Sequence, residues 1–424
     1  MRYQFLNFAV WLLSACAMLT LGGCAQRPTE QAEPTPGITT IATAVPTEAE
    51  ATSTPKTQQG EQSQPLAAGE HEVQLAFCNV GRADAMLLQI DGHTFAIDTG
   101  TKEAVPQLFG VLETMGVEKL DAVFLTHTHD DHIGGMEALS RAFPIERLYA
   151  AEISQNKKNG TNKITLLSEN LEIPLTRLHA GETVPLTEGV AFTVLGPLAY
   201  NAEDDNDNSL VLRLEINGTT LLLTGDMQFA EEQTLLDAGA LLQADVLKVG
   251  NHGNPDATGD DFAAAVMPKV AVISTNTTAD ANSANPRVLA ALKDAETYIT
   301  QDTRLGFVLT LGASGTMQMT QMPVQQPLSG LSIASVDPTS QTVVIQNDGA
   351  QQADLSGCIL LSSRGGESFR FPQGAALAAG KTLTVVGEGG QGDYQFTGEG
   401  KPWHQKKADT ALLYDRFGNE LSRK

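Results

Sequence analysis

At 424 residues the chain exceeds one ordinary domain, and 42% hydrophobic with 18% charged residues is a composition able to bury sizeable cores. The formal charge of −23 argues against electrostatic capture of a polyanion and fits a protein kept soluble by its acidity. The charge is uneven: residues 70–325 hold 15 Lys/Arg against 35 Asp/Glu, residues 328–424 hold 9 against 10, so part of the acidic excess is available to surround cations. Of the four cysteines, Cys78 and Cys358 stand in no Cys-x-x-Cys pair and beside no His, so they read as small apolar core residues.

In chain order, Arg2 precedes an apolar run from Phe8 through Leu21, a suitable length for a signal-peptide core and short for a membrane span. It ends in Leu21-Gly22-Gly23-Cys24, which resembles a bacterial lipobox. That resemblance implies removal of residues 1–23 and lipidation of Cys24. The expected location is the outer face of the cytoplasmic membrane, with acyl chains as the anchor. Residues 24–69 are rich in Thr, Pro, Ala, Gln and Glu without apolar periodicity, and the composition predicts a disordered stalk.

From Glu72 the pattern becomes that of a folded domain over residues 70–325. Strands are predicted at 73–78, 85–90 and 94–97, the last two joined by an Asp91-Gly92 hairpin turn. A helix over about 103–116 carries Leu108, Phe109, Leu112 and Met115 on one face. Further strands are predicted at 121–125, 145–150, 190–195, 209–216, 219–224, 245–249, 270–274, 297–300 and 305–311. Helices are predicted near 135–143, 161–170, 229–238, 259–267 and 285–293. This is an α/β pattern with two sheets rather than a purely parallel arrangement.

Directly after the apolar strand 121–125 comes Thr126-His127-Thr128-His129-Asp130-Asp131-His132. Any single His has a structural explanation, but three imidazoles and a carboxylate within six residues point to metal binding. His127 and His129, two apart, can grip one ion from an extended loop. Asp131 and His132 enter a helix and face a second. Neutral imidazole with carboxylate suits Zn²⁺, Mn²⁺ or Fe.

His-x-His-x-Asp-His after such a strand resembles the second motif of the metallo-β-lactamase superfamily. Ile97-Asp98-Thr99-Gly100 resembles its first motif, Leu221-Leu222-Leu223-Thr224-Gly225-Asp226 its fourth, and Asp245 through Gly253, including Lys248 and His252, its fifth. Asn79-Val80-Gly81-Arg82-Ala83-Asp84 and Asn208-Ser209-Leu210-Val211-Leu212 are similar to the metal-dependent domain of the competence protein ComEC. The resemblance spans about residues 72–320 and implies an αβ/βα sandwich. It also implies two divalent metal ions, Zn or Mn: His127, His129 and Asp226 at one, Asp131, His132, Asp226 and His252 at the other. Asp131 and Asp226 take the catalytic roles. Asp84, Asp98, Asn208, Ser209, Lys248 and Asn251 would stand behind the ligands, with Asp98 orienting the His loop. Two departures stand out. Asn251 replaces a His, and the third-motif His is absent. The acidic run Asp204, Asp205, Asn206, Asp207, Asn208 is either a source of one oxygen ligand or a solvated loop.

Residues 328–424 read as short strands at 342–346, 355–360, 369–372, 380–386 and 409–415, a β-sandwich pattern. The segments around 347–361, Trp403 and 409–418 resemble the immunoglobulin-like lamin-tail domain, which implies binding of a cell-surface ligand or positioning. The leading functional expectation is hydrolysis of a phosphodiester in DNA or a nucleotide, since the ComEC branch is associated with DNA uptake. Lys157, Lys158 and Lys163 offset the acidic surface locally. The alternatives are hydrolysis of a lactam, lactone or thioester, and a surface binding protein with a degenerate metal site.

Overall fold

A computed structural model describes residues 70–398 and 400–424. The expected signal peptide, Cys24 and stalk lie outside the described residues. Among the described residues no helix is long and apolar enough to cross a membrane.

The order of elements is β1 (Val73–Cys78), β2 (Ala85–Ile90), β3 (His93–Thr99), α1 (Val105–Thr114), β4 (Ala122–Leu125), α2 (Asp130–Ile133), α3 (Met136–Ala142), β5 (Leu148–Ala151), α4 (Lys163–Leu171), β6 (Leu175–Leu178), β7 (Thr183–Thr187) and β8 (Val190–Gly196). There follow β9 (Val211–Ile216), β10 (Thr219–Leu223), α5 (Phe229–Asp237), β11 (Val246–Lys248), α6 (Asp260–Val266), β12 (Val270–Ile273), α7 (Pro286–Ala291), β13 (Glu296–Ile299), β14 (Gly306–Leu311) and β15 (Met317–Gln321). They form an eight-stranded sheet, β15-β14-β1-β2-β3-β4-β5-β6, and a seven-stranded sheet, β13-β12-β11-β10-β9-β8-β7.

Period-two alternation decides what each face does. Leu75, Phe77, Met86 and Leu88 of the first sheet share a core with Leu212, Leu214, Leu221 and Leu223 of the second. The intervening Ala76, Cys78 and Leu87 face α1, α3 and α4, and Val211, Leu222 and Leu247 face α5, α6 and α7. The result is the expected αβ/βα sandwich. Asp91 and Gly92 both take positive φ (51° and 83°), as a tight hairpin requires. Cys78 and Cys358 are free and buried, and burial pushes both thiols up, Cys358 to about 12.

Three strands of these two sheets were not expected: β6, β7 and β15, each the edge of a sheet. Edge strands bury little, so their apolar alternation is weak. In β7 the run also contains Pro185, which reads against a strand and is tolerated only where one side lacks a partner.

Beyond β15 two four-stranded sheets build a second core around Trp403, Phe371, Phe396 and Cys358. One comprises Leu331–Asp337, Thr342–Asn347, Thr382–Val386 and Tyr394–Gln395, the other Ser368–Arg370, Ile359–Ser362, Ala411–Tyr414 and Glu420–Arg423. The strand expected at 355–360 begins only at Ile359, because Gly357 (φ 74°) turns the chain first.

This all-β part is packed against α1. Ile359, Leu361 and Tyr414 join the core formed by Val105, Phe109 and Leu139. The Arg370 guanidinium lies 5.2 Å from the Phe143 ring centre and 5.6 Å from that of Phe109, a cation–π arrangement. A Cβ on Gly110 would stand 2.6 Å from the Phe417 carbonyl oxygen, so α1 approaches its neighbour backbone to backbone. Gly110→Leu should therefore cost about 1–3 kcal/mol by overpacking. In calorimetry its melting should fall by several degrees and split into two transitions; an unaltered single transition contradicts the contact.

Candidate metal centre

Strand β4 is wholly buried, and the chain leaves it through Thr126 to His129 before turning into α2. The carboxylate of Asp98, at the end of β3, fixes this exit. Its Oδ1 accepts from the Thr126 amide and its Oδ2 from Thr126 Oγ1, both at 2.8 Å. Oδ2 also accepts from His132 Nδ1 at 2.8 Å. Asp98 does this from a left-handed backbone (φ 59°), where a non-glycine residue is strained. Because Nδ1 is committed to Asp98, His132 Nε2 is the atom presented to the site. It lies 3.1 Å from Asp226 Oδ2.

The second sheet supplies the other half. Gly225 (φ 52°) follows β10 so closely that a Cβ would meet Ser209 and Thr126 at 2.9 Å. It delivers Asp226, whose amide donates to Ser209 Oγ at 3.0 Å. After β11, Asn251 (φ 42°) and His252 (φ 54°) are both left-handed in a single turn. His252 Nδ1 donates to the Ser274 carbonyl at 2.9 Å, which leaves Nε2 free to approach Asp226 Oδ2 at 3.2 Å and Asp131 Oδ2 at 3.5 Å.

One ligand atom each from Asp131, His132, Asp226 and His252 thus lies within 4.8 Å of the others. His127 packs on this group, its ring centre 4.1 Å from that of His132 and 4.6 Å from that of His129. The Nε2 atoms of His127, His132 and His252 and Asp226 Oδ1 are buried without hydrogen-bond partners, a costly state that bound divalent cations relieve. The donor set, imidazole with carboxylate, fits such ions.

Electrostatics agree with that use. Burial opposes charge on His132, but Asp226 and Asp98 outweigh it and hold its pKa well above the ordinary value; against the same burial, Asp226, Asp131 and Asp84 raise His252 to about 9. Burial and the neighbouring His132 hold His127 well below the ordinary value, neutral and ready to donate a lone pair. Burial alone would raise Asp226, yet His252 and His132 hold it well below the usual carboxylate range. A cation at His132 and His252 competes with their protons.

The remaining expected residues fall as follows. Lys248 is buried against Asp84, donates to the Gly225 carbonyl at 3.0 Å and lies 3.9 Å from Asp226 Oδ1. Asp84, Asp98 and His132 also converge, with Asp84 already neutralised by Lys248. Ser209 Oγ is 3.3 Å from His127 Nδ1.

Among the described residues the Asn208 side chain is hydrogen-bonded to Asn201 and Asp205. It donates to Asp205 at 2.9 Å, and Asp205 accepts from the Thr128 amide at 3.0 Å and from Thr128 Oγ1 at 2.6 Å. The carboxylates of the acidic run lie outside the four-residue cluster and are held by the protein. Asp204 accepts from Asn206, Asp205 braces the His loop, and Asp207 accepts from the Gln228 and Glu231 amides. The Asn251 side-chain amide donates to Asp256 at 2.9 Å. The bracing roles of Thr126, through its amide and hydroxyl, and of the Ser274 carbonyl escaped the sequence reading, because such contacts leave no motif; Asp205 was named only as a possible ligand, not as a brace.

Two predictions follow from buried charge. Lys248→Met strands the Asp84 carboxylate and should cost about 3–5 kcal/mol in denaturant unfolding. The double exchange Lys248→Met/Asp84→Leu should recover most of it; a neutral single variant contradicts the pairing. Glu231 accepts from the Leu198 amide at 2.7 Å and Glu232 from the Gly259 amide at 2.8 Å. Burial pushes both up to about 7 from an ordinary 4.5. Their contribution to stability is complete below 4.5 and is lost as pH rises through about 7. Glu232→Gln should therefore flatten the decline in melting temperature across that window, and an unchanged slope would count against it.

The metallo-beta-lactamase superfamily profile matches residues 78–277, and the lamin tail domain profile matches residues 325–423. ComE operon protein 3 of Bacillus subtilis is 33% identical over 184 residues, 43% of this chain and 22% of that protein. Competence protein ComA of Neisseria gonorrhoeae is 30% identical over 212 residues, 50% of this chain and 28% of that protein. The chain thus spans about a quarter of the length of these relatives. The metallo-beta-lactamase fold protein YhfI from Bacillus subtilis superposes with a TM-score of 0.41 at 14% identity, covering 57% of this chain and 100% of that one. Residues 78–277 are a metallo-β-lactamase superfamily domain of the competence-protein type, and residues 325–423 are a lamin tail domain.

Proposed function

We propose that the chain is a metal-dependent phosphodiesterase acting on DNA or nucleotides outside the cytoplasmic membrane, to which Cys24 tethers it. The observation that carries this reading is the meeting of Asp131, His132, Asp226 and His252 from two sheets, with unpartnered ring nitrogens directed inward.

Asp131, His132, Asp226 and His252 would hold one divalent cation, and His127, His129 and Asp226 the other. Bound there, such cations supply Lewis acidity toward the scissile ester and acidify a water. The chain's residues do the rest. Asp98 and the Ser274 carbonyl fix the two imidazole tautomers, and Lys248 balances the acids beneath. Asp131, 17% exposed where the other three are buried, is the carboxylate of the cluster that faces the solvent side. The names of the competence-protein relatives favour DNA as substrate, the Leu21-Gly22-Gly23-Cys24 motif favours the membrane location, and the lamin tail domain is suited to holding a surface ligand.

The test is metal content by mass spectrometry, followed by assay on bis(p-nitrophenyl) phosphate, single-stranded DNA and nitrocefin. We expect about two divalent cations per chain and phosphodiester cleavage. His129→Ala should lower that cleavage by about a hundredfold. Nitrocefin turnover alone would move the reading to lactam hydrolysis, and a metal-free inert protein would leave a binding protein.

A further inference from the structure

The turn of residues 79–84, between β1 and β2, runs past the metal centre and is held at both ends. Asn79 Nδ2 donates to the Thr303 carbonyl at 2.7 Å, and the Asp84 amide donates to the Asp131 carbonyl at 3.1 Å. Arg82 projects between these anchors, its side chain 40% exposed. Its Nε donates to Asp280 Oδ2 at 3.0 Å, and its Nη1 lies 3.4 Å from Asp131 Oδ2. Asp280 is itself held by Asn254 Nδ2 at 3.2 Å. Among the described residues Nη2 has no protein partner.

Asp131 is the solvent-side member of the four-residue cluster, so Arg82 stands one side chain from the reacting position, on the open side. A carboxylate shared with a divalent cation attracts a guanidinium less strongly, which frees Arg82's donors for an anion seated on the cluster. The planar fork matches two oxygens of a phosphate, and Asp280 sets its direction in advance.

We propose that Arg82 binds the non-reacting oxygens of a phosphate-bearing substrate at this centre and gives the site its preference for anionic over neutral substrates. The proposal rests on the phosphodiesterase reading above and names the contact that would select the substrate.

The experiment titrates inorganic phosphate calorimetrically into the metal-loaded wild-type protein, R82Q and R82K, with the metal content of each measured by mass spectrometry. R82Q should keep its metal and bind phosphate about tenfold more weakly, the weight of one charge-assisted hydrogen bond. R82K should recover part of that loss. With bis(p-nitrophenyl) phosphate, R82Q should raise KM and leave kcat little changed. Equal phosphate affinity in wild type and R82Q, or no phosphate binding by the wild type, overturns the proposal. So does loss of metal in R82Q, which would make Arg82 a positioning residue for Asp131. Phosphate binding that depends on Arg82, without phosphodiester cleavage, would sink the hydrolytic reading and leave this contact standing.

Discussion

The carboxylate of Asp226 lies within 3.2 Å of imidazoles carried by two different sheets: His132 from the loop after β4 and His252 from the turn after β11. Apolar packing fixes the separation of the two sheets, and the polar contacts that join them, Lys248 with Asp84 and Thr128 with Asp205 among them, gather around the same junction. Everything placed around Asp226 serves to aim donors at it. Asp98 holds His132 from the first sheet, and the Ser274 carbonyl holds His252 from the second. Gly225 lets the backbone come close enough for Ser209 to meet the Asp226 amide. Left-handed backbone at Asp98, Asn251 and His252 concentrates local strain here, as sites held by their surroundings can afford.

Charge follows from the same geometry. Asp84, Asp98, Asp131 and Asp226 crowd the junction, and among the described residues the buried Lys248 ammonium and the half-exposed Arg82 guanidinium are the Lys and Arg cations that meet them. Protonated His132 and His252 complete the balance, which is why their pKa values rise despite burial. A dimetal centre would replace those protons with stronger charge, and the acidic bias of residues 70–325 is consistent with that need. The lamin tail domain has no part in this balance. It packs on the outer face of the first sheet against α1, on the far side of that sheet from the inter-sheet core.

Much of this was legible in the sequence. Strand β4 is a continuous apolar run buried on both faces, and β3 and β10 carry shorter ones at 95–97 and 221–223; such runs announce themselves. His127 to His132 follow one of them directly, so the motif and its place in the fold were read together. What stayed hidden lies at the margins or in the backbone. The edge strands β6, β7 and β15 lack a full apolar face. The acidic run 204–208 read equally as an oxygen ligand or a solvated loop, but its carboxylates are committed to amides and hydroxyls that the folded chain brings near. Asn251 looked like a disturbance at a ligand position, yet its left-handed backbone turns the amide to Asp256.

The central claim is that Asp226 is the shared ligand of a metal pair. Anomalous diffraction from crystals soaked in Mn²⁺ tests it directly. The account predicts two peaks about 3.5–4 Å apart, one among Asp131, His132 and His252, the other beside His127 and His129, with Asp226 touching both. A single peak away from Asp226, or none at a concentration that saturates the protein, would contradict it.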